Sequence, residues 1–508
     1  MTDISLISGT PALTSSSHPV SSGQGAQNPG ILEPTQNVSN SPTSMNRIES
    51  GSTLTGNPVR LPDFISRVTP LRGANLRGAN LSTANLRGAN LSTADLNIAL
   101  RNGQTDTIQA YGQMVLAAQA AGLPPERVAG LLAAKDNGGI PGLRAALRDG
   151  KTDAVQAYGQ IVLAAQAAGL PQELVAGLLA AKDDSYGVPG LWVALQKGQT
   201  DAVRVYGQIV QAAGLPPEFV TALLAAKDDS HGFPGLWVAL LNDQTGAVLV
   251  YGQIVLAAQA AGLPPELVAG LLAAKDDTDG LPGLGVALQR GQADAVRVYG
   301  QIVLAAQTAG LPQKLVAGLL AAKDNDGIPG LRAALRDGKT DAVQAYGQIV
   351  LAAQAAGLPP EFVTALLAAK DNDGFPGLWV ALRDGQTDTV QAYGQMVMAA
   401  GLPPELVAGL LAAKTDSYGV PGLHVALRNG HIDTVRVYGQ MVMAAGLPQK
   451  LVAELLTAKD NDGIPGLHVA LRNGHTDTTQ AYGEIVRAAV NAMEPCNPEL
   501  KTRMLSFV

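Results

Sequence analysis

Ile464-Pro465-Gly466-Leu467-His468-Val469-Ala470-Leu471-Arg472-Asn473-Gly474-His475-Thr476-Asp477 decides the fold, because versions of it recur from about residue 94 to residue 490. Its proline steps through Pro141, Pro189, Pro234, Pro282, Pro329, Pro376, Pro421 and Pro465, at intervals of 44–48 residues. A fixed period in this range marks a solenoid, in which each unit buries its apolar face only against its neighbours. One long array therefore replaces the few globular domains that 508 residues would otherwise suggest.

One unit, Asp324 to Lys370, shows why the repeat reads as three helices. Asp324-Asn325-Asp326-Gly327 is a turn of side chains that bond their own backbone, closed by a glycine that tolerates positive φ. Pro329 opens a first helix with Leu331, Ala334 and Leu335 on one face, and Gly338 ends it. Thr340-Asp341 is expected to cap a second helix carrying Val343, Tyr346, Ile349 and Val350 inward. Gly357-Leu358-Pro359-Pro360 stops it and starts a third, with Val363, Leu366 and Leu367 inward. Helices this short do not stand alone in water, so stacking between units must hold them. The fold class is all-α, a solenoid of three helices per 44–48-residue unit.

In three units the second helix is shorter by three residues, at Gln211-Ala212-Ala213-Gly214, Met398-Ala399-Ala400-Gly401 and Met443-Ala444-Ala445-Gly446. Residues 140–171 are identical to 328–359. An array that tolerates the copying of whole units suits a surface better than a catalytic cavity.

Two flanks differ from the array. Residues 1–60 hold runs such as Thr14-Ser15-Ser16-Ser17, with Arg47 the one Lys or Arg in residues 1–50, and they are expected to be disordered. From Leu71 to Leu96 the chain is a ladder of pentapeptides, with leucine at 71, 76, 81, 86, 91 and 96 and alanine at 74, 79, 84, 89 and 94. This ladder resembles the pentapeptide-repeat family, which implies a short right-handed β-helix whose leucines point inward. It covers little more than one coil, and capping the open end of the array is the expected role. The outward Arg72, Arg77 and Arg87 have the wrong sign for an acidic mimic of DNA. The expected organisation is 1–60 disordered, 61–96 cap, 97–490 array and 491–508 tail.

The pattern Asp-Gly-x-Pro-Gly-Leu-His-x-Ala-Leu-x-x-Gly-His-x-Asp, seen at Asp462 to Asp477 and near Gly419 to Val435, resembles the ankyrin repeat. It departs from it in placing Ile464 or Val420 where ankyrin repeats carry threonine, and in its longer period. The array as a whole is similar to ankyrin-like arrays of type III secreted effectors of Gram-negative pathogens, including the Shigella enterotoxin-2-like family. The cysteine-protease domain of that family has no counterpart here. The resemblance implies a non-catalytic effector whose Ser-rich N-terminus is a secretion signal attended by a secretion chaperone. It would be delivered to the host cytoplasm and bind a host protein. The alternative is a structural or assembly scaffold kept in the bacterial cytoplasm, and the third reading is an enzyme with an unrecognised site.

Composition narrows the chemistry. A net charge of −7 argues against nucleic acid, which needs a clustered basic face. The longest apolar run, near Ile161 to Leu170, carries Gln166 and stops at Pro171, too short to insert in a membrane. One cysteine, Cys496, excludes an internal disulfide framework and is not placed as a nucleophile. The Asp-rich turns lack the alternating ligands and final glutamate of a calcium loop, and the histidine pairs suit turn hydrogen bonds better than a metal. No catalytic residue, metal or cofactor is expected. The C-terminal Ser506-Phe507-Val508 is a weak match to a peptide that adds a strand to a sheet edge.

The informative variation lies inside the unit. Just after Pro-Gly-Leu stand Arg144, Trp192, Trp237, Gly285, Arg332, Trp379, His424 and His468, and the preceding turns carry Tyr186, His231 and Tyr418. Trp, Tyr, Arg and His are favoured at binding hot spots, and in the ankyrin comparison this region lines the concave face and loop tips. Arg144, Tyr186, Trp192, His231, Trp237, Arg332, Trp379, Tyr418, His424 and His468 are therefore the candidate partner-binding residues. The competing reading is that the tryptophans fill gaps between helices.

Overall fold

The computed structural model describes residues 93–457, 459–492 and 498–506. The N-terminal segment, nearly all of the pentapeptide ladder, Cys496 and the final Phe507-Val508 lie outside the described residues. Among the described residues there are 27 helices and no strands. They form a repeat of three, as in Gly330–Arg336, Thr340–Ala355 and Pro360–Ala368. First helices pack on first helices of the next unit, second on second and third on third. The core runs on through the units without a break.

The inward faces are those the apolar spacing predicts: Leu331, Ala334, Leu335, Val343, Tyr346, Ile349, Val350, Val363, Leu366 and Leu367 are all buried. Each large aliphatic side chain so buried contributes about 1.5–3 kcal/mol. Two starts differ from expectation. Pro329 lies one place before its helix, at the N-cap in extended conformation. Thr340 is the first helical residue rather than the cap; Lys339 holds the cap position, with no side-chain bond to the helix. The Thr340 hydroxyl instead meets that of Thr389 in the next unit at 3.0 Å.

Glycines set the distance between units. In every second helix a glycine follows the buried tyrosine, and in all but the last it faces an Ile or Met of the next second helix. Gly252 faces Ile302, Gly300 faces Ile349 and Gly394 faces Met441, each so closely that a Cβ there would overlap the neighbour. The glycine of Pro-Gly-Leu receives the Ala-Leu leucine of the preceding unit in the same way, as Gly377 does Leu335. A glycine inside a helix costs about 0.5–1 kcal/mol relative to alanine, which the closer contact offsets.

Neighbouring units also complete one another's helix ends. The last carbonyls of a helix have no partner within it. From Tyr158 onward the tyrosine hydroxyl of each second helix donates to such a carbonyl on the preceding third helix, whereas Tyr111, in the first, donates to Leu131 O of the third helix that follows it. Tyr206 reaches Leu179, Tyr299 reaches Leu272 and Tyr346 reaches Leu320, at 2.9–3.0 Å. Burial raises the pKa of these phenols well above the ordinary value, so they stay protonated donors. The third helices from Pro125–Ala133 to Pro404–Ala412 end on an alanine of positive φ, for example Ala322 at φ 45°, a conformation that costs a non-glycine residue about 1–2 kcal/mol. Its buried methyl fills the space beside Gly330 of the following first helix.

At the C-terminus the structure replaces the expected tail with a further helix. Pro498–Leu505 packs on Thr476–Ala492 and on Gln449–Leu456 and buries Met504. It takes the third-helix place of the last unit. Pro498-Glu499-Leu500 repeats the Pro-Glu-Leu that opens third helices at Pro265 and Pro404, a signal the shortened spacing concealed.

The glycine contacts predict a sharp contrast. Gly300→Ala should lower stability by about 1–3 kcal/mol through overpacking. Gly270→Ala, where a Cβ meets nothing within 4 Å, should raise it by about 0.5–1 kcal/mol. Chemical denaturation of both variants beside the parent checks the pair; similar signs would overturn the close-approach account.

Candidate interaction surface

The turn before each Pro-Gly-Leu is built by its first residue. Asp183 accepts the backbone N–H groups of Ser185 and Tyr186, and Asp276 those of Thr278, Asp279, Gly280 and Leu281. Thr415 substitutes for Asp in one turn, where its hydroxyl accepts the Val420 N–H. Turns are then tied to each other. Asp229 N donates to Tyr186 O at 3.2 Å, and Asn325 N to Asp279 O at 2.9 Å. At four turns the preceding lysine reaches the carboxylate at the second position of the next turn, in Lys135–Asp184, Lys182–Asp229, Lys227–Asp277 and Lys370–Asp416, whereas Lys275 donates to Lys323 O. These carboxylates are about 60 % exposed, so each pair adds little stability alone.

The residue after Pro-Gly-Leu points across to the following turn. Asn97 begins the series, donating from Nδ2 to Ala134 O at 2.8 Å and Ile140 O at 3.0 Å. Arg144 pairs with the buried Asp183 at 2.9 Å and Arg332 with Asp371 at 2.8 Å. Trp192 Nε1 donates to Phe233 O at 3.0 Å. His424 is buried, 3.6 Å from Asp460. Trp379 is also buried, against Phe375 and beneath the Arg383 guanidinium. The structure thus puts Arg144, Arg332 and His424 in joints between units and buries Trp379 against residues of its own unit. Burial removes them from the free surface, and ion pairs hold the two arginines. Trp192 and Trp237 are half-buried and pack on the core.

What reaches the surface is the turn tips. Tyr186 is 67 % exposed and Tyr418 66 %; the side chain of His231 is 66 % exposed, and His468 is exposed as well. Tyr186 and His231 occupy the same position of consecutive turns, which the bond from Asp229 to Tyr186 holds together. Behind His231 the rings stack inward: Phe233 lies 5.5 Å from His231, and Trp237 lies 4.7 Å from Phe233. Trp237 Nε1 is buried without a hydrogen-bond partner. This aromatic column is the feature that a residue-by-residue reading missed, because it joins Phe233, a residue before proline, to two candidates from different parts of the unit.

His431 and His475 have a structural part. Each precedes a second helix, and its Nε2 lies 2.8 Å or 3.1 Å from a carbonyl at the end of the preceding unit's first helix, Arg383 O or Arg428 O. Gln199, Gln292 and Gln386 make the same bond elsewhere. Among the described residues no group of His, Cys, Asp and Glu is arranged to hold a metal, and no helix is long and apolar enough to cross a membrane.

His424 supplies a pH prediction. Burial lowers its pKa and Arg428 adds to this, while Asp460 opposes it. The unfolded chain then binds more protons at this group, so stability falls as pH drops below about 6.5. His424→Arg should install the pairing seen at Arg144, gain on the order of 1 kcal/mol at pH 7 and flatten the profile between about pH 5 and 7. Denaturation midpoints across this range check it; an unchanged slope would assign the pH dependence elsewhere.

Residues 71–97 match the family described as Pentapeptide repeats (8 copies), and the last of them, Thr93 to Asn97, lie within the helix Thr93–Asn102. No curated protein matches the chain.

Proposed function

We propose that the array is a non-catalytic scaffold that binds a protein partner through the aromatic turn tips of its second and third Pro-Gly-Leu units. The observation that carries this reading is the exposure of Tyr186 and His231 side by side, in a position where most other turns have Asp or Gly. Neither side chain is needed to build its turn, which Asp183 and Asp228 hold through backbone N–H groups. Two large exposed side chains on a rigid, hydrogen-bonded base lose little entropy on binding, which is what hot-spot residues require. Tyr418 repeats the feature five units on and offers a second point of contact. Trp192 and Trp237 support the surface from below. Arg144, Arg332 and His424 act by holding the joints.

The place of action follows from the resemblance to type III secreted effectors: the scaffold works on a host protein after export directed by the Ser-rich N-terminal segment. Two experiments test the two parts separately. Residues 1–70 fused to a translocation reporter should enter host cells only when the bacterium has a working type III apparatus; entry independent of it, or none, favours a scaffold within the bacterium. Tyr186→Ser with His231→Ser should weaken partner retention at least about tenfold while changing stability by less than about 0.5 kcal/mol. A partner retained equally by this variant would place the binding surface elsewhere on the array.

A further inference from the structure

The second helices come in two lengths, and one junction between them opens a cleft. Thr200–Ala212 has 13 residues and the next, Thr245–Ala260, has 16. Three residues are about 4.5 Å of helix, so the longer one overhangs the shorter at its C-terminal end. Beneath the overhang lies a cavity of about 440 Å³, walled by Val210, Leu215, Val220 and Leu224 on one side and Ile254 and Ala257 on the other. That volume is in the range of small-molecule sites.

Elsewhere the chain fills this place itself. In the long units a leucine (Leu163, Leu256, Leu304 or Leu351) packs on the core at this level. A glutamine one turn later donates its amide to a carbonyl at the end of the next second helix. Gln166 Nε2 reaches Ala213 O at 2.8 Å, Gln259 reaches Ala309 O at 3.2 Å and Gln354 reaches Ala400 O at 2.9 Å. The unit of Thr200–Ala212 has the exposed Gln211 in the leucine's place and nothing in the glutamine's. Among the described residues no side chain donates to the equivalent carbonyl, that of Ala261, which lines the cleft. At the other junction of a short helix with a long one, Ile432–Ala444 with Thr476–Ala492, Met443 stands in the leucine's place and packs on the core.

We propose that this cleft binds a small amphipathic molecule, an aliphatic chain of about six carbons ending in a primary amide. The chain takes the place of the missing leucine, and the amide N–H bonds the Ala261 carbonyl as a glutamine would. A carboxylate does not suit the site. It brings negative charge to a helix C-terminus, and Arg204 at the rim is paired with Asp201. The proposal is independent of the partner surface at the turns, whose residues take no part in the cleft.

Hexanamide is the probe, followed by ligand-observed NMR on the full chain, with hexanoate as the comparison. Saturable binding of hexanamide is expected, with hexanoate weaker by at least about tenfold. Inserting Leu-Ala-Ala between Val210 and Gln211 restores the sequence of the long units and should abolish binding. Ala257→Phe, which fills the cleft without moving the backbone, should do the same, with circular dichroism confirming unchanged helicity. Binding that does not saturate, or that survives in both folded variants, would overturn the site. Equal binding of hexanoate would overturn the assignment of an amide donor.

Discussion

The second helices can stack only because a glycine follows each buried tyrosine. At Gly300 the neighbour's Ile349 occupies the space a Cβ would need, so the interaxial distance is set by backbone against side chain. The composition follows from this. Alanine, leucine, glycine and valine dominate, and aromatic residues are 4 % of the chain, since bulky rings on these faces would force neighbouring units apart. The tyrosine beside the glycine is the exception the close stacking makes possible. Its ring is buried, and its hydroxyl is carried to the end of the preceding third helix, where Leu320 O or its equivalent needs a donor.

This arrangement makes each unit dependent on its neighbour in a specific way. A helix of seven or nine residues exposes nearly as many unpaired carbonyls as it satisfies. Here the partners come from the adjacent unit: a tyrosine for the third helix, Gln199, Gln292 or His431 for the first, and Gln166 or Gln354 for the second. The turns add main-chain bonds, and the lysines add exposed ion pairs of small worth. Stability is therefore a sum of intrinsic unit terms and nearest-neighbour terms, with the second kind dominant. It also explains why a lapse in the pattern has local consequences. Shortening Thr200–Ala212 removes a leucine and a glutamine from one joint and leaves the other joints intact.

Much of this is legible in the sequence, because periodicity reports which face of a helix is buried. The three helices, their inward residues and the glycines that end the first two follow from spacing within a unit. Contacts between units are harder to read, since their sequence separation of 26 to 51 residues joins positions no helical period connects. Thr340 looks like a cap within its own unit but meets Thr389 in the next. Arg144, Trp192 and His424 look like a varied binding face but bridge to the following turn. Tyr186, His231 and Tyr418 were legible as surface residues because Asp and Asn beside them already mark a turn. The C-terminal helix escaped notice because a single proline in a short remainder carries no period.

Duplicated sequence shows how the joints accommodate variation. Residues 140–171 and 328–359 are identical, yet their arginines do not make identical bonds. Arg144 donates from Nε to Val188 O and pairs with Asp183. Arg332 pairs with Asp371, but its Nε is buried without a partner. The cause lies in the next unit, where Lys182 to Pro189 spans one residue more than Lys370 to Pro376. The longer turn brings Val188 O within reach of the guanidinium and also lifts Tyr186 to the surface. A copied unit thus keeps its fold because every turn offers an Asp or Thr at its first position, while turn length decides what is bonded and what is displayed. Surface chemistry in this array is set at the turns, and the residue after Pro-Gly-Leu adjusts to support them.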